Sequence, residues 1–470
     1  MPASTASMCL RREGEAVHSV TRDQASSRER SADMTLTLAS ATVEKLVIEG
    51  GQPLEGTVAP AGNKNAALPL LAASLLTDDD VVLHNVPHIR DVEAMLDLLV
   101  GLGVEAAWRD EHTVALRARV LATTEVDARL ADRIRASFLA AGPLLARTGG
   151  ALLPPPGGDV IGRRRLDPHL DAFRALGAHV EHDREIRLTA PDGGLQACDF
   201  FMDEPSVMGT ENALMAAALT PGTTIIRNAA SEPHVQDLAR MLTAMGAGID
   251  GIGSNVMVVH GAEKLHGAEH TVSPDHIEIG SFMALAGVTG GELRIKDCVH
   301  DDLRMIRLVF ARLGLRSDID GDDLLVPGGQ KLVMSRDWGG YQVKVEDGPW
   351  PAFPADLTSI AVALATQSEG TVLMFEKMFE NRLVFTDKLV NMGANIILCD
   401  PHRAVITGPS PLRGERLESP DIRAGMAMLI AALCARGESE IGNVRQIDRG
   451  YERIEDRLRG LGARIERQVA

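Results

Sequence analysis

Several short loops in this sequence carry cations that could bind a substrate with several negative charges. The first is the run Gly62-Asn63-Lys64-Asn65, which leads into a stretch rich in alanine and leucine. If that stretch is a helix, its free backbone amides and the Lys64 ammonium meet at one point, where anions bind favourably. The run does not match a Walker A loop, which argues against a nucleoside triphosphatase. The alternative is that Lys64 is an ordinary solvated surface lysine.

A second loop combines several arginines with one carboxylate. Arg135 precedes an apolar stretch, and a proline- and glycine-rich loop then carries Asp159, Arg163, Arg164 and Arg165. This composition is typical of a lid that is mobile but hinged. We therefore predict that Asp159 lies on such a lid, with an exposed network of ion pairs as the alternative.

Four residues of the last third could contribute to the same kind of site. Asp356 follows a proline-rich turn at a position typical of a helix N-cap, and Arg423 lies where another helix is predicted to begin. Arg382 and Arg449 lie in short loops. Each is ordinary alone, but a set of arginines and a lysine suits a substrate with several phosphates or carboxylates.

The composition limits the class of protein that carries these loops. The chain has 470 residues, 45% of them hydrophobic, which predicts two to four packed domains. A net charge of −17 argues against nucleic acid or an anionic membrane as the partner, and no apolar run reaches the ~18 residues of a membrane span. The five cysteines are scattered, so we expect a reduced, cytoplasmic protein without a disulfide framework or zinc site.

Residues 1–43 differ from the rest of the chain. They are rich in serine, arginine, threonine and glutamate, contain no aromatic residue and show no sustained apolar period. They also lack the apolar core of about 7–15 residues that marks a signal peptide. We predict a disordered leader, with Met34 as an alternative start of the protein.

The remainder of the chain repeats one pattern six times. In each copy an amphipathic stretch ends at a glycine and a strand-like run follows, at Gly103, Gly177, Gly246, Gly314, Gly393 and Gly462. The glycine suits the left-handed conformation that ends many helices, and the alternation after it suits a strand. Spacings of 74, 69, 68, 79 and 69 residues indicate internal duplication. Because the strands are amphipathic, sheets wrapped around buried helices are favoured over a doubly wound parallel sheet.

Taken together, these loops and repeats resemble the enolpyruvyltransferase family. The resemblance runs from about Leu46 to Glu466, and its most specific stretches are NKNAALP, NVPHIRDV, RASFLAAGPLLAR, PGGDVIGRR, NAASEPHVQDL, FPADL, FENR and IDRGYERIEDRLRGLGA. It implies an α/β fold of two inside-out barrel domains, each built from three βαβαββ-like subdomains. The six repeats counted above are what such a fold requires.

The resemblance also implies how the two domains divide the chain. One domain is expected over 64–273, with the lid and the nucleotide-sugar contacts. The other is expected over 44–63 and 274–470 and closes on phosphoenolpyruvate. The chain would then cross back between them near Val272–Pro274.

The activity that the resemblance implies is transfer of the enolpyruvyl group of phosphoenolpyruvate to the 3-hydroxyl of UDP-N-acetylglucosamine, with release of phosphate. This reaction is the first committed step of peptidoglycan synthesis, on which cell shape and cell division depend. It is an addition followed by an elimination and needs no metal or organic cofactor. Clustered cations would hold the multiply anionic donor and stabilise the charge that develops on it.

Individual roles follow from the same resemblance. Lys64 and Asn65 match a pair that binds phosphoenolpyruvate, and Asp356 matches the carboxylate that meets the acceptor hydroxyl. The arginines that close on phosphoenolpyruvate match Arg423 and Arg449, with Arg382 beside them. The nucleotide-sugar contacts match Arg135, Arg164, Arg165, Leu166, Asp167, Pro168, Ser206, Val207 and Met378. Lys64, Asp159 and Asp356 are the expected catalytic residues, with Asp356 as the base and Asp159 as the acid.

Asp159 stands where most members of the family carry the cysteine that donates a proton. An aspartic acid is ordinarily ionised at neutral pH, so a donor here depends on the negative charge of the substrate and on lid closure to retain its proton. We therefore expect the activity to fall readily on the alkaline side. Since a carboxylate is a much poorer soft nucleophile than a thiolate, we also expect insensitivity to fosfomycin, which alkylates the cysteine.

Two stretches depart from the family pattern on the acceptor side. The run from Ser206 to Thr210 reads Ser-Val-Met-Gly-Thr instead of Ser-Val-Gly-Ala-Thr, and Glu204 or Pro205 replaces a lysine before it. The run from Arg165 to Pro168 reads Arg-Leu-Asp-Pro instead of Pro-Val-Asp-Leu. The alternatives are therefore another acceptor, such as UMP or a shikimate-type alcohol, or a non-catalytic anion-binding paralogue. Retention of the cations and of Asp356 argues against the last of these.

Overall fold

The structure is a computed structural model that describes residues 44–159 and 161–469. The leader predicted over residues 1–43 and the alternative start at Met34 lie outside the described residues. None of the helices in the described part of the chain combines the length and the hydropathy of a membrane span.

Strands and short helices alternate along the whole described chain. The strands are β1 (Glu44–Glu49), β2 (Gly56–Val58), β3 (Asp80–His84), β4 (Glu105–Trp108), β5 (Val114–Arg117), β6 (Gly150–Leu153), β7 (His179–His182), β8 (Ile186–Thr189), β9 (Asp199–Phe201), β10 (Gly222–Arg227), β11 (Gly248–Asp250), β12 (Val256–Gly261), β13 (Glu269–Thr271), β14 (Leu293–Ile295), β15 (Asp318–Asp320), β16 (Asp323–Val326), β17 (Val343–Glu346), β18 (Gly370–Phe375), β19 (Asn395–Asp400), β20 (Arg403–Gly408), β21 (Arg416–Glu418), β22 (Glu438–Gly442) and β23 (Arg464–Val469).

The α-helices are α1 (Lys64–Ala73), α2 (Arg90–Gly101), α3 (Ala128–Ala131), α4 (Ala141–Thr148), α5 (Asp167–Ala175), α6 (Val207–Ala218), α7 (Pro233–Ala244), α8 (His276–Thr289), α9 (Arg304–Arg312), α10 (Thr358–Gln367), α11 (Thr386–Asn391), α12 (Ile422–Cys434) and α13 (Ile454–Gly460). Short 3₁₀ helices cover Ser74–Leu76, Arg135–Ala140, His300–Leu303, Ala355–Leu357 and Val444–Arg449.

The six glycines of the sequence repeat end six equivalent helices. They follow α2, α5, α7, α9, α11 and α13, and their φ angles lie between +91° and +110°. An L-residue with a side chain rarely adopts this left-handed conformation, which is why glycine recurs at this place. The predicted sixfold repeat is therefore present in the backbone.

Each repeat contributes one small mixed sheet. Five sheets have four strands, in the orders β13-β3-β5-β4, β11-β12-β10-β9, β15-β16-β14-β2, β17-β18-β20-β19 and β21-β22-β1-β23. In each of these, one outer strand pairs parallel with its neighbour and the other pairs are antiparallel. The sixth sheet, β6-β8-β7, keeps only a single parallel bridge between Glu125 and Leu152 at the place of a fourth strand.

The helices enclosed by these sheets are buried on all sides. Residues 276–287 of α8 and 422–433 of α12 are all buried, because alanine, leucine, isoleucine and methionine occupy every face of both helices. The strands alternate between buried and exposed residues, as in β10. The fold is thus an α/β fold with helices inside and sheets outside, which confirms the inside-out architecture.

Two separate hydrophobic cores lie within the described chain. One is built from buried residues between 66 and 272, and the other from residues 46–58 and 277–465. We call the parts of the chain around these cores lobe 1 (64–272) and lobe 2 (44–58 and 275–469). The two connections between them run side by side, because Gly62 is bridged to Pro274.

Candidate active site

A cavity of about 260 Å³ lies between residues of the two lobes. It brings together most of the site residues that the sequence predicts, namely Lys64, Asn65, Arg135, Asp159, Arg164, Val207, Asp356, Met378, Arg382, Arg423 and Arg449. Lobe 1 contributes the first six of these and lobe 2 the other five. Paired cations and carboxylates inside a cavity suit an anionic substrate.

Lys64 is placed by the start of α1. The side chain of Asn63 caps this helix and accepts hydrogen bonds from the backbone N–H groups of Asn65, at 2.9 Å, and Ala66, at 3.3 Å. The Lys64 ammonium lies 2.8 Å from Asp91 Oδ2, and both side chains are buried. The predicted helix start with a lysine at its first position is therefore confirmed.

Asp91 binds a cation from each lobe. Its other oxygen, Oδ1, accepts a hydrogen bond from Arg449 Nε at 2.8 Å. Burial by itself would raise the pKa of Asp91, but Lys64 and Arg449 hold that pKa below its usual range. The two cations thus converge on one carboxylate although they are separated by almost the whole chain.

Asp159 lies on the opposite side of the same arginine. Arg449 Nη1 donates a hydrogen bond to Asp159 Oδ1 and a second one to Gln446 Oε1 at 3.0 Å. The residues after Asp159 contact lobe 2, because Ile161 O accepts from Asn381 N at 3.0 Å. The segment that was predicted to be a lid therefore lies against lobe 2, with Asp159 and Ile161 lining the cavity.

Asp356 is bound by two arginines of its own lobe. It lies in the 3₁₀ turn before α10, 2.9 Å from Arg382 Nη2 and 2.9 Å from Arg423 Nη2. Asn65 of lobe 1 is farther away, with its Nδ2 at 3.5 Å. Burial by itself would raise the pKa of Asp356, but Arg423 and Arg382 hold that pKa well below its usual range.

Contacts with neighbouring residues fix the positions of Arg423 and Arg382 beside Asp356. Asp421 caps α12, and its Oδ1 accepts from the backbone N–H of Arg423 at 2.9 Å. Arg423 Nη1 donates to the Tyr451 hydroxyl at 3.3 Å. The guanidinium of Arg382 lies over the ring of Phe379, 5.2 Å from its centre. Among the described residues, the buried Nε of Arg382 has no acceptor, so that it can donate to a substrate.

Two further cations, Arg135 and Arg164, line the cavity from lobe 1. Arg135 Nη2 donates to Arg164 O at 2.6 Å, which fixes the backbone that carries the second arginine. Burial, and secondly the charge of Arg164, lower the pKa of Arg135 to about 10. Two cations that destabilise one another in this way favour the arrival of an anion.

Five of the predicted acceptor contacts do not line the cavity. Arg165 forms ion pairs with Asp203, at 2.7 Å, and Asp167, at 3.2 Å, on the surface of lobe 1. Ser206 caps α6 and accepts from Gly209 N at 3.2 Å. The other two predicted contacts, Leu166 and Pro168, flank the start of α5.

Sequence reasoning missed a group of uncharged or acidic residues of the cavity, namely Asp91, Glu211, Glu232, His234, His276 and Trp350. Burial lowers the pKa of His234 to about 3 and that of His276 to about 4, so both rings are neutral. Burial also raises the pKa of Glu211 well above its usual value. Two signals could have drawn attention to Asp91, namely its place in the stretch NVPHIRDV and its position in the first turn of α2.

Potential metal ligands cluster elsewhere. Among the described residues, Glu111, His112 and Glu452 place ligand atoms within 4.8 Å of one another, and none of the three lines the cavity. They are exposed or half-exposed.

Two lobes of sheets around buried helices, with a cavity of paired charges between them, define a class of group-transfer enzyme. The chain belongs to the EPSP synthase (3-phosphoshikimate 1-carboxyvinyltransferase) family, whose model matches residues 48–458. The resemblance to the enolpyruvyltransferases is thereby confirmed.

Particular relatives are similar over almost the whole chain. The UDP-N-acetylglucosamine 1-carboxyvinyltransferase of Bradyrhizobium diazoefficiens is 56% identical over 421 residues, which are 90% of this chain and 97% of that protein. The protein of the same name from Treponema denticola is 54% identical, over 90% of this chain and 99% of that protein.

Solved structures share the fold. The enolpyruvyl transferase NikO from Streptomyces tendae has a TM-score of 0.81 at 26% identity and covers 91% of this chain and 100% of that chain. The EPSP synthase of Acinetobacter baumannii has a TM-score of 0.69 at 17% identity, with the same coverage of 91% and 100%. The second likeness concerns the fold alone.

Proposed function

We propose that this protein transfers the enolpyruvyl group of phosphoenolpyruvate to the 3-hydroxyl of UDP-N-acetylglucosamine and releases phosphate. The convergence of Lys64 and Arg449 on one carboxylate inside the cavity is the observation that carries the proposal. Relatives that are 54–56% identical over 90% of the chain are named for this reaction. We also propose that the protein carries out this reaction in the cytoplasm.

The donor is proposed to bind between the cations of both lobes. Lys64 and Arg449 are held by Asp91, and Arg449 is also bound by Asp159. The Asp159 carboxylate thus occupies a position that a phosphate or carboxylate group of phosphoenolpyruvate would take. Donor binding would exchange one anion for another at Arg449, which leaves the cations paired throughout.

The acceptor hydroxyl is proposed to meet Asp356. The hydroxyl oxygen attacks carbon 2 of phosphoenolpyruvate and loses its proton to this carboxylate. Asp356 is a weak base while Arg382 and Arg423 bind it, because both arginines stabilise its ionised form. A bound anionic donor competes with Asp356 for the positive charge of these arginines, so the carboxylate becomes more basic in the step that needs a base.

Asp159 is proposed to supply the proton that completes the addition. The methylene carbon of phosphoenolpyruvate takes this proton while the new carbon–oxygen bond forms, and a tetrahedral ketal results. In the second step the bond to the phosphate oxygen breaks, phosphate leaves, and the new methyl group returns one proton. The lid position of Asp159 would bring its carboxyl group to the donor only after it leaves Arg449.

The cavity is smaller than the usual site for a molecule of the size of the acceptor. Ligand sites for molecules of this size usually enclose about 300–1,000 Å³, whereas the cavity measures about 260 Å³. We therefore infer that it encloses the reacting ends of both substrates. The uridine end would extend over lobe 1, past Val207 of the cavity, towards Ser206 and the run Arg165–Pro168, which lie outside it.

We also propose that lobe 1 and lobe 2 are separate domains, divided near the Gly62–Pro274 bridge, that open to admit substrate. Each has its own hydrophobic core, and two adjacent backbone connections join them. A pair of hinge strands of this kind permits rotation of one domain against the other.

The test is release of inorganic phosphate from phosphoenolpyruvate with one acceptor at a time. UDP-N-acetylglucosamine is expected to support turnover, whereas UMP and shikimate 3-phosphate are not. The Lys64→Ala variant serves as the control with impaired turnover. Turnover with UMP alone would replace the proposed acceptor, and absence of turnover with every acceptor would favour a non-catalytic anion-binding protein.

A further inference from the structure

A second pair of acidic residues lies behind the cavity in lobe 2. Asp347 directly follows β17 and Glu376 directly follows β18, and these strands are parallel neighbours in which Glu346 pairs with Phe375. The two carboxyl groups therefore emerge at the same edge of one sheet. Both residues are buried, with exposed fractions of 1% and 0%. Two buried carboxylates at adjacent positions repel one another strongly unless a proton lies between them.

One oxygen of each carboxyl group binds the backbone of the loop that follows β18. Asp347 Oδ1 accepts a hydrogen bond from Lys377 N. Glu376 Oε1 accepts from Met378 N at 3.3 Å and from Phe379 N at 3.1 Å. Three consecutive backbone N–H groups are thus held by the two acidic side chains.

The second oxygen of each group is buried without a donor. Within residues 44–159 and 161–469, neither Asp347 Oδ2 nor Glu376 Oε2 has a hydrogen-bond partner. A single proton held between these two oxygens satisfies both, since one group then donates and the other accepts. Burial, and next the neighbouring Asp347, raise the pKa of Glu376 to about 8, in keeping with such a proton.

We propose that Asp347 and Glu376 share one proton and that this acid pair positions the loop 377–382 at the cavity. The loop carries Met378 and Phe379, which line the cavity, and ends at Arg382, which binds Asp356. The acid pair touches no substrate, so both members are positioning residues. The inference concerns the same site as the proposed function and rests on it for its kinetic arm.

Other charged and polar groups also surround the acid pair. Arg382 faces Glu376 from the loop and favours its ionised form, and the Thr358 hydroxyl of α10 lies beside the same carboxyl group. His402 Nδ1 lies 2.7 Å from the backbone carbonyl of Glu376. Lys377 is 3.8 Å from Glu346, and its side chain is 41% exposed. The shared proton is therefore retained against a buried guanidinium and a hydroxyl, because burial and Asp347 act in the opposite direction.

Amide substitutions test the shared proton directly. In Glu376→Gln, the new NH₂ donates to Asp347 Oδ2 while the amide oxygen still accepts from the loop, and Asp347→Asn reverses the two roles. We expect each single variant to retain its kcat and KM for UDP-N-acetylglucosamine within about threefold at pH 7. The double variant places two NH₂ groups face to face, so we expect at least a tenfold loss of kcat/KM.

The pattern of these variants separates the pair from a merely structural role. Asp301→Asn combined with Asp318→Asn, which changes two exposed carboxylates of lobe 2, is the matched control and should behave as wild type. A double variant as active as the two single ones, with a native circular dichroism spectrum, would overturn the proposal. So would single amide variants as damaged as Glu376→Ala.

Unfolding in urea tests the proton without any substrate. A pKa that is raised in the folded state gives stability that is fully present below the unfolded value of about 4 and is lost as pH rises from there to about 8. We expect the urea midpoint of the wild type to fall between pH 5 and pH 8 by more than that of Glu376→Gln or Asp347→Asn. Equal slopes would contradict the shared proton. This arm stands even if UDP-N-acetylglucosamine proves not to be the acceptor, so the two failures are distinguishable.

Discussion

Asp91 and Asp356 are both buried acidic residues bound by two cations, but the cations come from different places. Lys64 of lobe 1 and Arg449 of lobe 2 bind Asp91, whereas Arg382 and Arg423, both of lobe 2, bind Asp356. The charge around Asp91 is complete only when the lobes are together. The charge around Asp356 is organised within one lobe and is available before closure.

This difference assigns the two clusters to different stages of the reaction. A preformed carboxylate with fixed arginines can orient an acceptor in an open cleft, since orientation needs rigid groups. A cluster shared between lobes responds to closure, and a donor anion bound there would hold the lobes together. The predictions that follow, from the largest expected effect to the smallest, test this division.

Replacement of Asp356 should have the largest effect. Asp356→Ala removes the proposed base and leaves Arg382 and Arg423 without their carboxylate. We expect kcat for phosphate release to fall by about 10³, within the range of a lost general base. Asp301→Ala, an exposed carboxylate of the same lobe, is the control and should be unchanged. A loss of less than tenfold would remove Asp356 from the chemistry.

Removal of Lys64 from the cluster around Asp91 should weaken the use of phosphoenolpyruvate more than the binding of UDP-N-acetylglucosamine. In Lys64→Ala we expect kcat/KM for phosphoenolpyruvate to fall by about 10², the cost of one lost charge-stabilising donor. The affinity for UDP-N-acetylglucosamine, measured by calorimetry without donor, should change by less than threefold. An equal loss for both substrates would show that the two clusters are not separate.

The contribution of Asp91 to the free energy of unfolding should depend on pH. Because its pKa is lowered in the folded state, Asp91 contributes stability above its unfolded value of about 4 and loses it as pH falls through the folded value. Asp91→Asn leaves Lys64 without a counter-charge and Arg449 with Asp159 alone, which should cost about 3 kcal/mol in urea unfolding at pH 7. The difference from wild type should shrink below pH 4. A difference that is constant with pH would contradict this account.

Substitution of Asp159 should change kcat least, but it should change the pH profile and the reaction with fosfomycin. Asp159→Cys keeps a proton donor at the lid, so we expect kcat at pH 7 within about tenfold of wild type. A thiol keeps its proton to higher pH than an ordinary carboxyl group, so the alkaline limb should move upwards. Mass spectrometry should show a fosfomycin adduct on the variant and none on wild type. An adduct at Asp159 itself would contradict the prediction.

The repeating elements could be predicted from the sequence because their signals are local. Gly103 and its five equivalents end helices where a left-handed residue is needed, and this requirement is visible in any window that contains the glycine. The start of α1 at Lys64 was predictable for the same reason, since Asn63 supplies the cap.

The partners of the cations could not be predicted, because they depend on contacts between distant segments. Arg449 binds Asp91 across 358 positions of the chain, and no spacing rule connects the two residues. The surface ion pairs of Arg165, a predicted acceptor contact, with Asp203 and Asp167 could not be predicted either. Buried acids such as Glu376 are also invisible in the sequence, since exposed glutamates of ordinary loops look the same.

The bridge between Gly62 and Pro274 has a consequence for the covalent path of the chain. The segment that builds lobe 1 leaves and re-enters lobe 2 at adjacent points, as the hydrogen bonds Asn63 N to Ser273 O (2.8 Å) and Asp275 N to Ala61 O (2.9 Å) show. Lobe 1 is thus an insertion within lobe 2. A tight turn of a few glycines could replace it without altering the backbone route of the host, and the excised piece has ends close enough to be joined into a ring.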